Sequence, residues 1–207
     1  MNVATLHEPT QVSTTVGIKL LPFRVRSGRL ELLHSPSQPG SMLAVFPPDP
    51  YEELDEAVTR LGSEILSGDG YPVQLRVSGS PVSGLTAIYV YLVRPSIPGK
   101  PSGQPVPGFS WRDIRRIPLP DDDRAVVDAA IEALAAEIEH SAAGFRMVGE
   151  EFTVSELRHV HEAVLRVSLD PSNFRKRVCR LVKEGRLVEL PTRRPTATRP
   201  ARLYRMT

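Results

Sequence analysis

Cysteine is almost missing from this chain: Cys179 stands alone among 207 residues. One thiol cannot build a disulfide framework or a zinc or iron–sulfur site of the Cys-x-x-Cys kind, and such sparing use suits a reducing cytoplasm. Long apolar runs are lacking as well. A membrane-spanning helix needs about 20 consecutive apolar residues, so no membrane partner is expected. Met1 to Thr15 carry His7 and Glu8 with neither a basic start nor an apolar stretch, so no secretory leader is expected. An excess of charge of one sign is also lacking, since 26 basic and 24 acidic side chains leave a formal net charge of +2. What is present is 41% hydrophobic residues, enough for a core in one large domain or two small ones.

The neutral total hides an uneven distribution. From Arg175 to the C-terminus there are eleven basic residues, and only Glu184 and Glu189 oppose them. That segment carries +9, which leaves −7 for residues 1–174. Such asymmetry predicts a module that meets a polyanion, attached to one that does not.

Residues 1–14 are polar and aperiodic and read as a loose arm. Val16 to Val25 and Leu30 to His34 read as strands joined around Ser27-Gly28, a hairpin signal. Irregular chain follows to Pro50. Glu53 to Leu66 places Leu54, Ala57, Val58, Leu61 and Ile65 on one helical face, with Glu56, Arg60 and Glu64 as a charged row on the other. Ser67-Gly68-Asp69-Gly70 stops that helix, and Tyr71 to Val77 and Leu85 to Val93 read as strands around a turn at Ser78 to Gly84. Seven prolines between Pro95 and Pro120 predict a loop, with Phe109 and Trp111 packing its middle on something. Asp121-Asp122-Asp123 is expected to cap a helix over Arg124 to Glu139, which ends in a hinge at His140 to Gly144.

The last third is the most explicit. Thr153-Val154-Ser155-Glu156 is a capping box opening a helix to about Leu165, with Leu157, Val160 and Val164 on one face. Asp170-Pro171 starts a second helix whose buried stripe is expected to be Phe174, Val178, Leu181 and Val182, and Gly185 ends it. Leu187 to Leu190, a basic loop over Pro191 to Pro200 and a return strand from Ala201 to Arg205 make a wing. Two helices joined by a tight turn and followed by such a hairpin are a winged helix-turn-helix.

Duplex DNA is the partner this pattern fits. Ser172, Asn173, Arg175, Lys176 and Arg177 lie at the start of the second helix, where side chains reach base edges in the major groove. Asn suits adenine and Arg suits guanine; Lys176 and the wing residues Arg193, Arg194 and Arg199 suit phosphates or the narrow minor groove. Thr153 and Ser155 at the first helix and Thr196 in the wing complete the candidate DNA-contacting set. A winged helix serving only protein contact would not need this density of arginine. Cys179 is expected to be a small core residue. His159 and His161 point in different directions on a helix and are not a metal pair; no metal, cofactor or catalytic residue is assigned.

Over nearly its whole length the chain resembles the Nudix-related transcriptional regulators of the NrtR type. The likeness lies in Asp122 through Ile138-Glu139-His140, Phe152-Thr153-Val154-Ser155-Glu156-Leu157, Asp170 to Phe174-Arg175-Lys176, and Arg199-Pro200-Ala201-Arg202-Leu203-Tyr204-Arg205. It implies an α+β architecture: an N-terminal Nudix-like α/β sandwich over residues 15–143, then a C-terminal winged helix-turn-helix domain over 144–207. It also implies a homodimer on palindromic operator DNA and a small-molecule effector, ADP-ribose-like or another metabolite. The Nudix box, G-x5-E-x7-R-E-U-x-E-E-x-G-U, survives only in part. Glu52, Arg60 and Glu64 remain, whereas Phe46, Leu61 and Ile65 replace its first Gly, the Glu after the Arg and the last Glu. A hard dication at a diphosphate needs several carboxylate oxygens, so hydrolysis is expected to be lost, with Glu56, Arg60 and Glu64 left as a salt-bridged face. The alternative is a hydrolase of nucleoside diphosphate derivatives with an accessory basic domain.

Overall fold

A computed structural model of the chain describes residues 16–35, 43, 45–67, 70–80, 84–95, 103–139, 142–196 and 199–207. The N-terminal arm lies outside them, as do parts of the expected loops and hinge. Strands β1 (Val16–Arg26) and β2 (Arg29–His34) form the expected hairpin, turned by Ser27 and Gly28 at φ 51 and 71°. Two successive left-handed residues match the right-handed twist of the flanking strands. Then come β3 (Val45–Phe46), helix α1 (Leu54–Ile65), β4 (Leu66–Ser67), and the long β5 (Gly70–Ser80) and β6 (Gly84–Val93). The proline-rich stretch holds β7 (Gln104–Pro105) and β8 (Ser110–Asp113). Helices α2 (Asp121–Ile138), α3 (Ala143–Arg146), α4 (Val154–Leu165) and α5 (Pro171–Lys183) precede the wing strands β9 (Leu187–Arg194) and β10 (Ala201–Met206).

A six-stranded sheet in the order β5-β6-β1-β2-β8, with β3 also on β1, organises the N-terminal part. β1 and β6 run parallel, and the other pairs are antiparallel. The unbroken apolar run in β6 is buried on both faces, and its residues alternate between two cores. Ala87, Tyr89, Tyr91 and Val93 join Ile18 and Leu20 against α1. Ile88, Val90 and Leu92 join Leu21 and Phe23 in a second cluster that continues through α2 to α5 and the wing. Helix α1 approaches the sheet closely because Gly62 leaves room for the Tyr91 ring, which a Cβ would meet at 2.3 Å.

The structure corrects several expectations. A strand does form in the proline-rich stretch: β8 pairs with β2 at the sheet edge, in the proline-free interval between Pro107 and Pro118. Trp111 of β8 donates its ring N–H to the Gly103 carbonyl at 2.8 Å, and the Arg24 guanidinium covers its ring at 4.3 Å. The three aspartates do not cap α2. Pro120 occupies the N-cap, and Asp121 to Asp123 form the first turn, where their charge favours the helix dipole. Asp123 is buried and paired with Lys19 of β1 at 3.4 Å. The described part of the expected hinge is not a free joint, since Ala143 and Gly144 open α3 and are buried with Phe145.

Helix α4 carries His161 into this joint, 3% exposed, with Nδ1 against the Leu157 carbonyl at 2.9 Å. Burial holds the imidazole below its ordinary 6.5, with Arg177 adding to the effect. Burial lowers His34 of β2 too, helped by Arg112. Both groups titrate lower folded than unfolded, so their contribution is complete above about 6.5 and is lost as pH falls through the folded values. The melting temperature is expected to drop between pH 7.5 and 5.5, and His161→Gln to flatten that drop. An unchanged slope in the variant would remove His161 from the account.

Candidate nucleic-acid interface

Two capped helices and a hairpin build the basic surface. At the start of α4 the Thr153 hydroxyl accepts the Glu156 N–H at 3.2 Å, and Glu156 Oε2 accepts the Thr153 N–H at 2.8 Å. Arg166, at φ 56°, ends α4 in the left-handed region. Glu162 then ties the turn, its Oε1 accepting from Arg158 at 2.8 Å and from the Leu169 N–H at 2.9 Å. Asp170 caps α5 by accepting the Asn173 N–H at 2.8 Å, with Pro171 at the first helical position. Phe174 and Val178 are the fully buried part of the α5 stripe, Phe174 meeting the His161 ring edge-on at 5.1 Å. Leu181 and Val182 pack at its margin.

The opposite face of α5 presents Ser172, Asn173, Arg175 and Lys176 to solvent. Cys179 is exposed as well, which corrects its expected place in the core. Arg175, Cys179 and Lys183 are spaced by four and share one helical face. In the wing, Arg202 pairs with Glu189 across the strands at 2.8 Å, leaving one fewer bare carboxylate on this basic surface. Thr196 shapes the wing tip, donating to the Arg199 carbonyl at 2.7 Å and accepting the Arg199 N–H at 3.3 Å. Between α5 and the wing lies a groove of about 840 Å³ lined by Ser155, Arg175, Lys183, Arg193, Thr196, Arg199 and Arg202 among others. Lys183 and Arg202 were not in the sequence-derived set, although the i+8 spacing from Arg175 already put Lys183 on that face.

Three members of the set are committed elsewhere. Thr153 is 7% exposed and its hydroxyl belongs to the capping box. Arg177 reaches back to the end of α2, donating Nη2 to the Glu139 carbonyl at 2.6 Å. Arg194 turns to Glu156 and the Glu151 carbonyl.

The residues matched to the Nudix pattern, Glu52, Arg60 and Glu64, have a different organisation. Arg60 donates to both oxygens of Glu52, at 2.9 and 2.7 Å, and to Glu64 at 3.1 Å. The Arg60 hydrogen bonds, joined by the Asp49 N–H, hold Glu52 at about 2. Among the described residues Glu56 forms no ion pair, so Glu52 takes the place expected for it in the charged row. Leu61 and Ile65 are buried against the sheet. Carboxylates already engaged by an arginine, beside leucine and isoleucine where further glutamates would stand, do not fit a dication site. Among the described residues no group of three or more His, Cys, Asp or Glu is placed to hold a metal ion, and no helix is long and apolar enough to cross a membrane.

Comparison with known proteins agrees with this geometry. The family model described as the NrtR DNA-binding winged helix domain matches residues 144–206. No curated protein sequence matches the chain. Among solved structures, Shewanella oneidensis NrtR complexed with a 27mer DNA is similar at 22% identity and a TM-score of 0.73, over 93% of each chain. A second crystal structure of Shewanella oneidensis NrtR is similar at 22% and 0.74, over 94% of each. A MutT/nudix family protein from Enterococcus faecalis is similar at 16% and 0.69, over 98% of this chain and 90% of that one. Residues 144–206 are thus similar to the NrtR DNA-binding winged helix domain, and the chain as a whole shares the fold of the solved NrtR structures, a Nudix-like domain followed by a winged helix.

Proposed function

We propose that this protein is a ligand-responsive transcriptional regulator in which the winged helix, residues 144–207, binds double-stranded operator DNA and the Nudix-like domain, residues 15–143, has become a sensor. The observation that carries the reading is the groove where the exposed face of α5 and the wing converge, with Arg175, Lys183, Arg193 and Arg199 on its walls. Ser155, Ser172, Asn173 and Lys176 extend the contact surface, Asn173 and Arg175 reading base edges and the others holding phosphate. One winged helix offers few base contacts, so the active species is a homodimer on a palindromic site in the cytoplasm. Hydrolysis is lost, because Glu52 and Glu64 are held by Arg60. The effector, ADP-ribose-like or another metabolite, acts by favouring one arrangement of the two recognition helices, which requires that its affinity differ between arrangements.

The test is a mobility-shift titration on the DNA upstream of the protein's own gene across a salt series. Four basic side chains at phosphates imply a log–log salt slope of about −3 to −4 per protomer. Absence of binding at every salt concentration would sink the regulator. Cleavage of ADP-ribose at enzymatic rates with Mg²⁺ or Mn²⁺ would install the hydrolase reading in its place.

A further inference from the structure

Arg193 and Arg194 are neighbours at the end of β9, and strand alternation sends their side chains to opposite faces. Arg193 stays in solvent on the groove side. Arg194 crosses to the start of α4, where Nη1 donates to Glu156 Oε1 at 2.5 Å and Nη2 donates to the Glu151 carbonyl at 3.0 Å. The receiving carboxylate is itself held, since its other oxygen accepts the Thr153 N–H at 2.8 Å and the Thr153 hydroxyl at 3.1 Å. A second tie lies one residue from Glu151. Phe152 and Tyr204 of β10 exchange backbone hydrogen bonds, at 3.0 Å from the Phe152 N–H and 2.8 Å from the Tyr204 N–H. Each wing strand is thus fastened once to residues 151–156. The chain just before them, Met147 and Val148, is buried in the core shared with the sheet.

We propose that Arg194 is a positioning residue for DNA recognition rather than a phosphate contact. Acting through Glu156, it is a strut that fixes the wing at the angle presenting Arg193 and Arg199. Because its anchor at the start of α4 follows directly on Met147 and Val148, which are buried in the core shared with the sheet, the wing follows any displacement of that stretch, which gives the sensor domain a mechanical route to the DNA face. The inference rests on the groove being a DNA interface.

Affinity of the full-length protein for operator DNA, measured across a salt series, separates a strut from a contact. A lost phosphate contact lowers the salt slope by about 1. Loss of a strut leaves the slope intact while weakening binding, here roughly tenfold for Arg194→Ala. Arg194→Lys sharpens the distinction: a phosphate accepts a lysine as a point charge, whereas a two-armed link to Glu156 and the Glu151 carbonyl needs the guanidinium fork. The strut therefore predicts that Lys does not restore affinity. Glu156→Gln keeps a residue that serves at the third position of a capping box but removes the charge facing Arg194. The strut predicts weaker binding, although deleting a negative charge near DNA by itself strengthens it. Stronger binding by Glu156→Gln, full rescue by Arg194→Lys, or a slope reduced by about 1 in Arg194→Ala overturns the proposal. Wild-type protein that binds no DNA overturns the underlying functional reading instead, so the two failures are distinct.

Discussion

Arg175→Ala is expected to weaken binding to the cognate operator by roughly 10- to 100-fold while changing binding to unrelated DNA much less. The position explains the size. Arg175 is the fifth residue of α5, exposed, one turn inside a helix start fixed by Asp170, Pro171 and the buried Phe174, and it lines the groove facing the wing. A guanidinium there can address guanine O6 and N7 together, a contact worth about 1–3 kcal/mol of discrimination. Arg193→Ala is the control from the other wall of the groove. It is expected to lower affinity for all sequences by a similar factor and to reduce the salt slope by about 1. Competition against a panel of singly substituted operators distinguishes them: the Arg175 variant flattens preference at one base pair in each half-site, and the Arg193 variant flattens none. An equal loss on every sequence for Arg175→Ala would make it a phosphate contact and leave Asn173 to carry base recognition.

The backbone of the winged helix was legible because its signals are local. Thr153 with Glu156, Asp170 with Pro171, and Gly185 at φ 70° mark helix ends by chemistry that acts within four residues. The destinations of its arginines were not legible. Arg177 and Arg194 look like Arg175 and Arg193 in the sequence, but their partners, the Glu139 carbonyl and Glu156, are each 38 residues away along the chain. Cys179 shows a signal that was present and outweighed. Its spacing from Arg175 and Lys183 placed it on the exposed face, against the usual burial of free cysteine. The cluster of Glu52, Arg60 and Glu64 differs again. The i,i+4 rule chose Glu56 as a partner of Arg60, but Glu52, which lies before α1 begins, folds back onto the guanidinium eight residues on. Rules for helix faces do not cover a residue outside the helix.

Phe152→Ala is expected to destabilise the whole chain by about 3–5 kcal/mol, a large part of the 5–15 kcal/mol typical of a folded protein. Phe152 is 1% exposed, packs on Phe145 with ring centroids 5.8 Å apart, and is bonded through its backbone to Tyr204 of the wing. The cluster that contains it runs from Leu21 and Phe23 of the sheet through Val127 and Ile131 of α2 to Phe174 of α5. A core shared in this way predicts a single cooperative transition rather than one for each domain. The single tryptophan makes this measurable, because Trp111 lies in β8 and packs on the core against α1 rather than on the one shared with the winged helix. Denaturant unfolding followed by tryptophan fluorescence and by far-ultraviolet circular dichroism should give one midpoint in the wild type, and Phe152→Ala should shift both probes together. A shift in the helical signal with the Trp111 transition unmoved would mean that the two halves are energetically independent. The proposed coupling between a sensor domain and a DNA-binding surface requires a structure whose equilibrium both sites bias. The joint around Phe152 meets that requirement only if the two probes move as one.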